Sequence, residues 1–309
     1  MRPSDAFRLP VRSAGLVLIA SALVATGVEG QVEPGAVSSG GQEREVVLIT
    51  GSTGGLGREL AHRIAATGAH VIVHGRDVER GEEVVARIEE EGRGSARFIP
   101  ADLASLADVR ELARTVLDDY GRLDLLINNA GIFTAGPAGR SLSRDGYELR
   151  FAVNYLSHYL LTRLLLPRLR QSAPSRVINV ASIGQAPVDF DDVMLERGYN
   201  ATRAYGQSKL AQIMFTFDLA RELEGTGVLT YAVHPATFMD TDMVLEAGIT
   251  PRSTVDEGAD AVMRLVTATD LESGQFFNGT RPSRANEQAY QEESRARLRE
   301  LSERLTGGA

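Results

Sequence analysis

Val46-Val47-Leu48-Ile49-Thr50-Gly51-Ser52-Thr53-Gly54-Gly55-Leu56-Gly57 places a short apolar run before a glycine-rich turn, and helical spacing follows from Leu56 to Thr67. A strand, a glycine turn and a helix in that order make a cradle for phosphate. Glycine lets the backbone approach a pyrophosphate, and the helix start offers unpaired N–H groups and a positive dipole end. A glycine motif alone is a weak signal, and the flanking strand and helix strengthen it. Outward from this stretch the alternation continues. Apolar runs at Val71-Ile72-Val73, Arg97-Phe98-Ile99-Pro100, Leu123 to Ile127, Arg176 to Val180 and Leu229 to Val233 read as strands. Helical stretches are expected at Val78 to Glu91, Ser105 to Tyr120, Arg144 to Arg170 (Pro167 near its end) and Ala204 to Glu224. Continuous apolar strands separated by helices imply α/β architecture, a single doubly wound parallel sheet with helices on both faces. The Arg/Glu-rich tail after Ser283 reads as a surface helix with a solvated face.

Composition bounds the function. The chain has 309 residues, 43% hydrophobic and 24% charged, which describes a globular chain. The absence of Cys excludes disulfides, thiolate metal sites, a cysteine nucleophile and a lipidated Cys. A net charge of −8 argues against nucleic acid as a partner. The five His do not assemble into metal-ligand spacing; His70 and His74 lie ~13 Å apart along an extended chain. Of the 33 basic residues, Lys209 is the single lysine.

Residues 1–28 differ from the rest. Arg2, Arg8 and Arg12 precede an uncharged run over 13–28, and residues 29–44 are a Gly/Ser/Pro-rich linker. A basic start and a short apolar run are the pattern of a secretory signal or a membrane anchor, though the run falls short of the ~20 residues that span a bilayer. A start codon placed too far upstream is the plainer alternative. Export through this segment conflicts with a cofactor supplied in the cytoplasm, and no twin-Arg pair marks export of a folded chain. The globular domain is expected over 45–309.

Further strand ends add to the expected crevice. In this architecture an acid at the end of the second strand would hold the adenosine ribose. Here Gly75 stands there and Arg76 follows. Arg suits a 2′-phosphate, which favours NADP over NAD; the alternative is that Arg76 is a surface residue and Asp77 takes the ribose. Asp102-Leu103 and Asn128-Asn129-Ala130-Gly131 follow the third and fourth strands, where ligands of open parallel sheets bind. Tyr205 and Lys209, at i and i+4, share a helix face. An ammonium near a phenol favours the phenolate and brings an ordinarily weak base toward neutral pH. Tyr199 lacks this partner, since Arg203 stands at its +4 position.

Thr50-Gly51-x-x-x-Gly55-x-Gly57, Asn128-Asn129-Ala130-Gly131, Ser182 after the fifth strand and Tyr205-x-x-x-Lys209 together resemble the short-chain dehydrogenase/reductase family, over about residues 45–280. Phe151 to Thr162, the Ala204 to Glu224 helix and His234-Pro235 are most similar to its retinol-dehydrogenase-like members. The resemblance implies a Rossmann-type fold, a nicotinamide cofactor and hydride transfer between a carbinol and a carbonyl. It implies Tyr205 as acid/base, Lys209 as its activator and ribose ligand, and Ser182 as a hydrogen-bond donor to the substrate oxygen. Asn154 would hold a water that relays protons from Lys209. Cofactor contacts are implied for Thr50, Gly51, Ser52, Thr53, Gly55, Leu56, Gly57, Arg76, Asp102, Leu103, Asn129, Ala130, Gly131, Tyr205, Lys209, Pro235 and Thr241. One departure is Pro235-Ala236, where family members commonly have Pro-Gly; Ala does not freely adopt positive φ, so a changed local backbone is expected. Phe238 to Gly258 is expected as an apolar lid over a lipophilic alcohol or ketone, or else as a short helix packed on the body. A homodimer through the helices of Asn154 and Tyr205 is implied by the family; those apolar residues could equally cover the sheet. A non-catalytic NADP(H)-binding sensor or scaffold is the second class of function.

Overall fold

The computed structural model describes residues 44–133 and 139–308. The expected signal or anchor and nearly all of its linker lie outside them. Eight strands form one sheet: β1 (Val46–Ile49), β2 (His70–Gly75), β3 (Ser95–Pro100), β4 (Leu125–Asn128), β5 (Ser175–Val180), β6 (Val228–His234), β7 (Gln275–Asn278) and β8 (Arg281–Pro282). Their order is β3-β2-β1-β4-β5-β6-β7-β8, parallel throughout except for the antiparallel β7–β8 hairpin. The order reverses between β1 and β4, the switch point at which such sheets open a crevice.

Both faces of the sheet are buried, which is why its strands read as unbroken apolar runs. Along β1, Val46 and Leu48 enter one core while Val47 and Ile49 enter the other. Helices α1 (Gly55–Ala65), α2 (Val78–Glu91) and α7 (Val255–Thr267) contribute to the second core. Helices α3 (Leu106–Asp119), α4 (Ser157–Gln171) and α5 (Ala201–Glu222) contribute to the first. Side chains start several of them: Asp77 caps α2, Ser105 caps α3, Asn200 caps α5, and Thr254 with Glu257 forms a capping box on α7. Helix α1 begins at Gly54 without a side-chain cap.

One expectation is corrected. The helix expected from Arg144 begins later. Residues 142 and 148 bridge across a turn in which Gly146 has φ +82°, and the chain then enters a π-helical segment, Phe151–Leu156, that continues into α4. The C-terminal helix, α8 (Glu292–Thr306), is not solvated all round. Its Leu298, Ser302 and Thr306 are buried, since they face α5 and the π segment. Tyr155 Oη lies 2.7 Å from Ser302 Oγ, whose own hydrogen goes to Leu298 O at 2.6 Å, so Tyr155 is the donor. The short helix α6 (Asp242–Glu246) completes the set.

Ser302→Ala leaves the buried Tyr155 hydroxyl without its acceptor. It is expected to lower stability by about 1–3 kcal/mol, seen as a lower urea midpoint at an unchanged m-value.

Candidate active site

A cavity of about 1190 Å³ opens beyond the carboxyl ends of the strands. One end is the turn after β1. Gly51 and Gly55 have φ of +64° and +49°. A Cβ on Gly57 would sit 2.2 Å from Gly51 O, so the α1 start reaches the loop only because residue 57 is glycine. With Gly54 offering no side-chain cap, the first N–H groups of α1 remain available to an anion. Of the expected contact residues, Gly51, Thr53, Gly55, Leu56, Gly57, Arg76, Asp102, Leu103, Asn129, Ala130, Gly131, Pro235 and Thr241 line the cavity. Thr50 and Ser52 do not; they are buried beneath it and hold its walls.

Thr50 Oγ1 accepts from Asn129 N at 2.9 Å and Ala130 N at 3.0 Å, and lies 2.9 Å from His158 Nε2. His158 Nδ1 lies 3.0 Å from Asn154 O, an oxygen that can only accept. The proton is therefore on Nδ1, and Nε2 accepts from Thr50. Burial holds the His158 imidazole far below its ordinary pKa, to about 3, which keeps this neutral tautomer in place. Asn129 Nδ2 donates to Thr50 O and Gly51 O, and Gly51 N donates to His74 Nδ1. Sequence reasoning left His158 aside; its signal was its place one helical turn after Asn154.

Asn154 lies in the π segment, buried, and does not line the cavity. Its Oδ1 accepts from Ile132 N at 2.8 Å, and its Nδ2 donates to Ile132 O and Ser208 Oγ. A π turn widens the helix locally, a device concentrated at functional sites.

Tyr205, Lys209 and Ser182 meet at the other end of the cavity. Ser182 Oγ accepts from Gly184 N at 3.0 Å, and a Cβ on Gly184 would lie 3.4 Å from Ser182 Oγ and 3.9 Å from Tyr205 Cε1, so the two side chains flank this glycine. Lys209 Nζ sits 5.8 Å from the Tyr205 ring centroid and donates to Val180 O (2.8 Å) and Gln212 Oε1 (2.9 Å). Gln212 was not foreseen. Burial pushes the Tyr205 phenol up, opposed by the Ser182 hydroxyl. Burial also draws the Lys209 ammonium down to about 7. The Phe133 ring packs edge to face on Tyr205, centroids 4.9 Å apart.

At the adenosine end, a Cβ on Gly75 would meet Thr53 Cγ2 at 2.5 Å. Arg76 is exposed and, among the described residues, makes no ion pair or side-chain hydrogen bond. Asp77 is engaged, capping Arg80 N and pairing with Arg80 Nε at 3.7 Å. Asp102 Oδ1 accepts from Ala104 N, and its other oxygen lies 3.4 Å from Arg144. After β6, Ala236 does not take the left-handed turn; Phe238 does, with φ +50°. Thr241 lies beside Gly55, 3.1 Å from where a Cβ would stand. Between Phe238 and Gly258, Met243, Val244 and Ile249 line the cavity, and no residue of α6 is buried.

The model of the short chain dehydrogenase family matches residues 45–251. The chain belongs to this family. It is 35% identical over 324 residues to human retinol dehydrogenase 13, covering 97% of this chain and 95% of that protein. A crystal structure of an uncharacterized protein from Mycobacterium paratuberculosis shares 32% identity at TM-score 0.71, covering 86% of this chain and 94% of that one. A short chain dehydrogenase from Burkholderia cenocepacia, solved in complex with NADP, shares 30% identity at TM-score 0.62, covering 76% of this chain and 95% of that one. This short-chain dehydrogenase is an oxidoreductase of the alcohol/carbonyl class. Among its described residues no helix is long and apolar enough to cross a membrane.

Lys209 carries a pH signature. Burial draws its folded-state pKa to about 7, below the ordinary lysine value, so between these values the unfolded chain binds more protons and stability rises with pH. Lys209→Met is expected to flatten that rise between pH 7 and 10, measured by urea unfolding of variant and parent at each pH.

Proposed function

We propose that this short-chain dehydrogenase uses NADP(H) to interconvert a lipophilic alcohol and its carbonyl, with Tyr205, Lys209, Ser182 and Asn154 as its working residues. The observation that carries this reading is the joining, in one cavity, of a glycine cradle at one end with Tyr205, Ser182 and Lys209 at the other. The cradle fits a dinucleotide: a Cβ at Gly57 would close it, and the uncapped start of α1 faces it. Bound there, NADP(H) supplies or accepts the hydride.

The protein's own part is positioning and proton handling. Ser182 accepts from Gly184, which leaves its hydroxyl hydrogen to donate to a substrate oxygen. Tyr205 Oη gives that oxygen its proton in the reducing direction and takes it back in oxidation. Lys209 has two of its three ammonium hydrogens satisfied by protein, and the third is left for the ribose hydroxyls. Its charge, added near the phenol, favours the phenolate. The space beside Gly131 supports the relay role of Asn154. A Cβ there would lie 3.4 Å from Lys209 Nζ and 3.5 Å from Asn154 Oδ1, so the two polar groups flank the same glycine, within reach of one shared water.

Cofactor choice follows from the adenosine end. An acid at position 75 is excluded by Thr53, and Asp77 is spent on Arg80. Arg76, unpaired at the rim, favours the charge of a 2′-phosphate. The apolar wall of Ile183, Phe238, Met243, Val244 and Ile249 favours a lipophilic substrate.

Titration followed by nicotinamide fluorescence is expected to show tighter NADPH than NADH, and Arg76→Ala to reduce that preference roughly tenfold or more, the equivalent of about 1.5–3 kcal/mol for a charge-assisted bond. Tighter NADH in the parent would overturn the Arg76 reading. Tyr205→Phe is expected to keep cofactor affinity and to lose most turnover on a panel of apolar carbonyls. Unchanged kcat in that variant sinks the assignment, and cofactor binding without turnover in the parent favours a sensor.

A further inference from the structure

Glu148 and Arg150 are almost fully buried, yet neither belongs to the machinery described above. Their charged groups lie 3.6 Å apart. Tyr199 joins them: its hydroxyl donates to Glu148 Oε1 at 3.0 Å and accepts from Arg150 Nη1. The second carboxylate oxygen of Glu148 accepts from Phe151 N at 2.8 Å, at the first residue of the π segment. Arg150 Nε donates to Phe133 O at 2.7 Å. A buried ion pair contributes little net stability, because desolvation offsets the attraction; its value lies in fixing one arrangement.

What is fixed here is the strap Ile132–Phe133. Asn154 holds both backbone groups of Ile132, and Arg150 holds the carbonyl of Phe133. These bonds fix the backbone from which the Phe133 ring packs on the Tyr205 ring and forms part of the cavity wall. We propose that Glu148, Arg150 and Tyr199 are a positioning unit that sets Phe133 against Tyr205 and so limits the width of the cavity where the substrate oxygen must sit. This rests on the reading of Tyr205 as the acid/base. Tyr199, which lacks a Lys partner, acts at a distance from the chemistry through Arg150.

Removing one charge leaves the other buried and alone, so the test uses the neutral pair Glu148→Gln/Arg150→Met and, separately, Tyr199→Phe, with Phe133→Ala as the reference. The first readout needs no turnover: the ¹⁹F resonance of 3-fluorotyrosine placed at position 205 in the full chain. Both positioning variants are expected to move it toward its place in Phe133→Ala. The second readout is kcat/KM for para-alkylbenzaldehydes of increasing width. Phe133→Ala is expected to raise the ratio of the widest to the narrowest about tenfold. The neutral pair should shift the ratio the same way and add nothing when combined with Phe133→Ala. An unmoved resonance in folded variants, or full additivity with Phe133→Ala, overturns the proposal. A parent that turns over no carbonyl overturns the reading of Tyr205 beneath it, while the resonance still decides whether the unit positions Phe133.

Discussion

The hydroxyl of Thr50 has one hydrogen and two lone pairs, and all three are committed. Two backbone N–H groups from the end of β4 donate to it, and its hydrogen goes to His158. Ile127 O, at 3.4 Å, is too distant to compete. Together with Thr50 N donating to Ile127 O and Asn129 Nδ2 donating to Thr50 O and Gly51 O, this hydroxyl holds the ends of β1 and β4 together at the crevice of the switch point and ties both to the helix behind it. Because His158 passes the connection to Asn154 O, the glycine cradle and the π segment share a single buried chain of bonds. Such a chain tolerates no change of protonation, and burial of His158 removes that freedom.

The opposite end of the cavity is built on a tension between burial and charge. Lys209 is almost entirely enclosed, which favours its neutral form, while Val180 O and Gln212 Oε1 give its ammonium two acceptors. A lysine so placed is sensitive to any added anion or lost acceptor. Arginine could not take this role: it stays charged and needs a planar fork of acceptors. That accounts physically for one lysine persisting in a chain that otherwise uses arginine.

Much of the architecture was legible in the sequence because burial on both faces leaves strands with no alternation to hide. The apolar runs from β1 to β6 and the helices between them were readable. The short strands β7 and β8 and helix α7 were passed over. The stretch before the π segment was misread as helix, since Tyr147, Phe151 and Tyr155 recur at helical spacing directly after a glycine that turns the chain. Which face of α8 is buried was not read from the sequence, because three well-spaced small or apolar residues are enough to bury one face of a charged helix.

Within the site, residue types bound to local geometry were readable from sequence. These are glycines where a Cβ would collide, the Tyr205–Lys209 pair one helical turn apart, and the Arg at the end of β2. Long-range partnerships were not. Thr50 with His158, Lys209 with Gln212 and Val180, and Glu148 with Arg150, Tyr199 and Phe133 depend on which elements pack together. The left-handed residue after β6 was also beyond sequence: a changed backbone was expected at Ala236, and the positive φ stands at Phe238. By itself the sequence determined the sheet, the cradle and the chemical candidates, because spacing along one element dictates which side chains share a face. Tertiary structure alone decided tautomer, protonation and the width of the cavity, because those depend on burial and on hydrogen-bond partners supplied by distant segments.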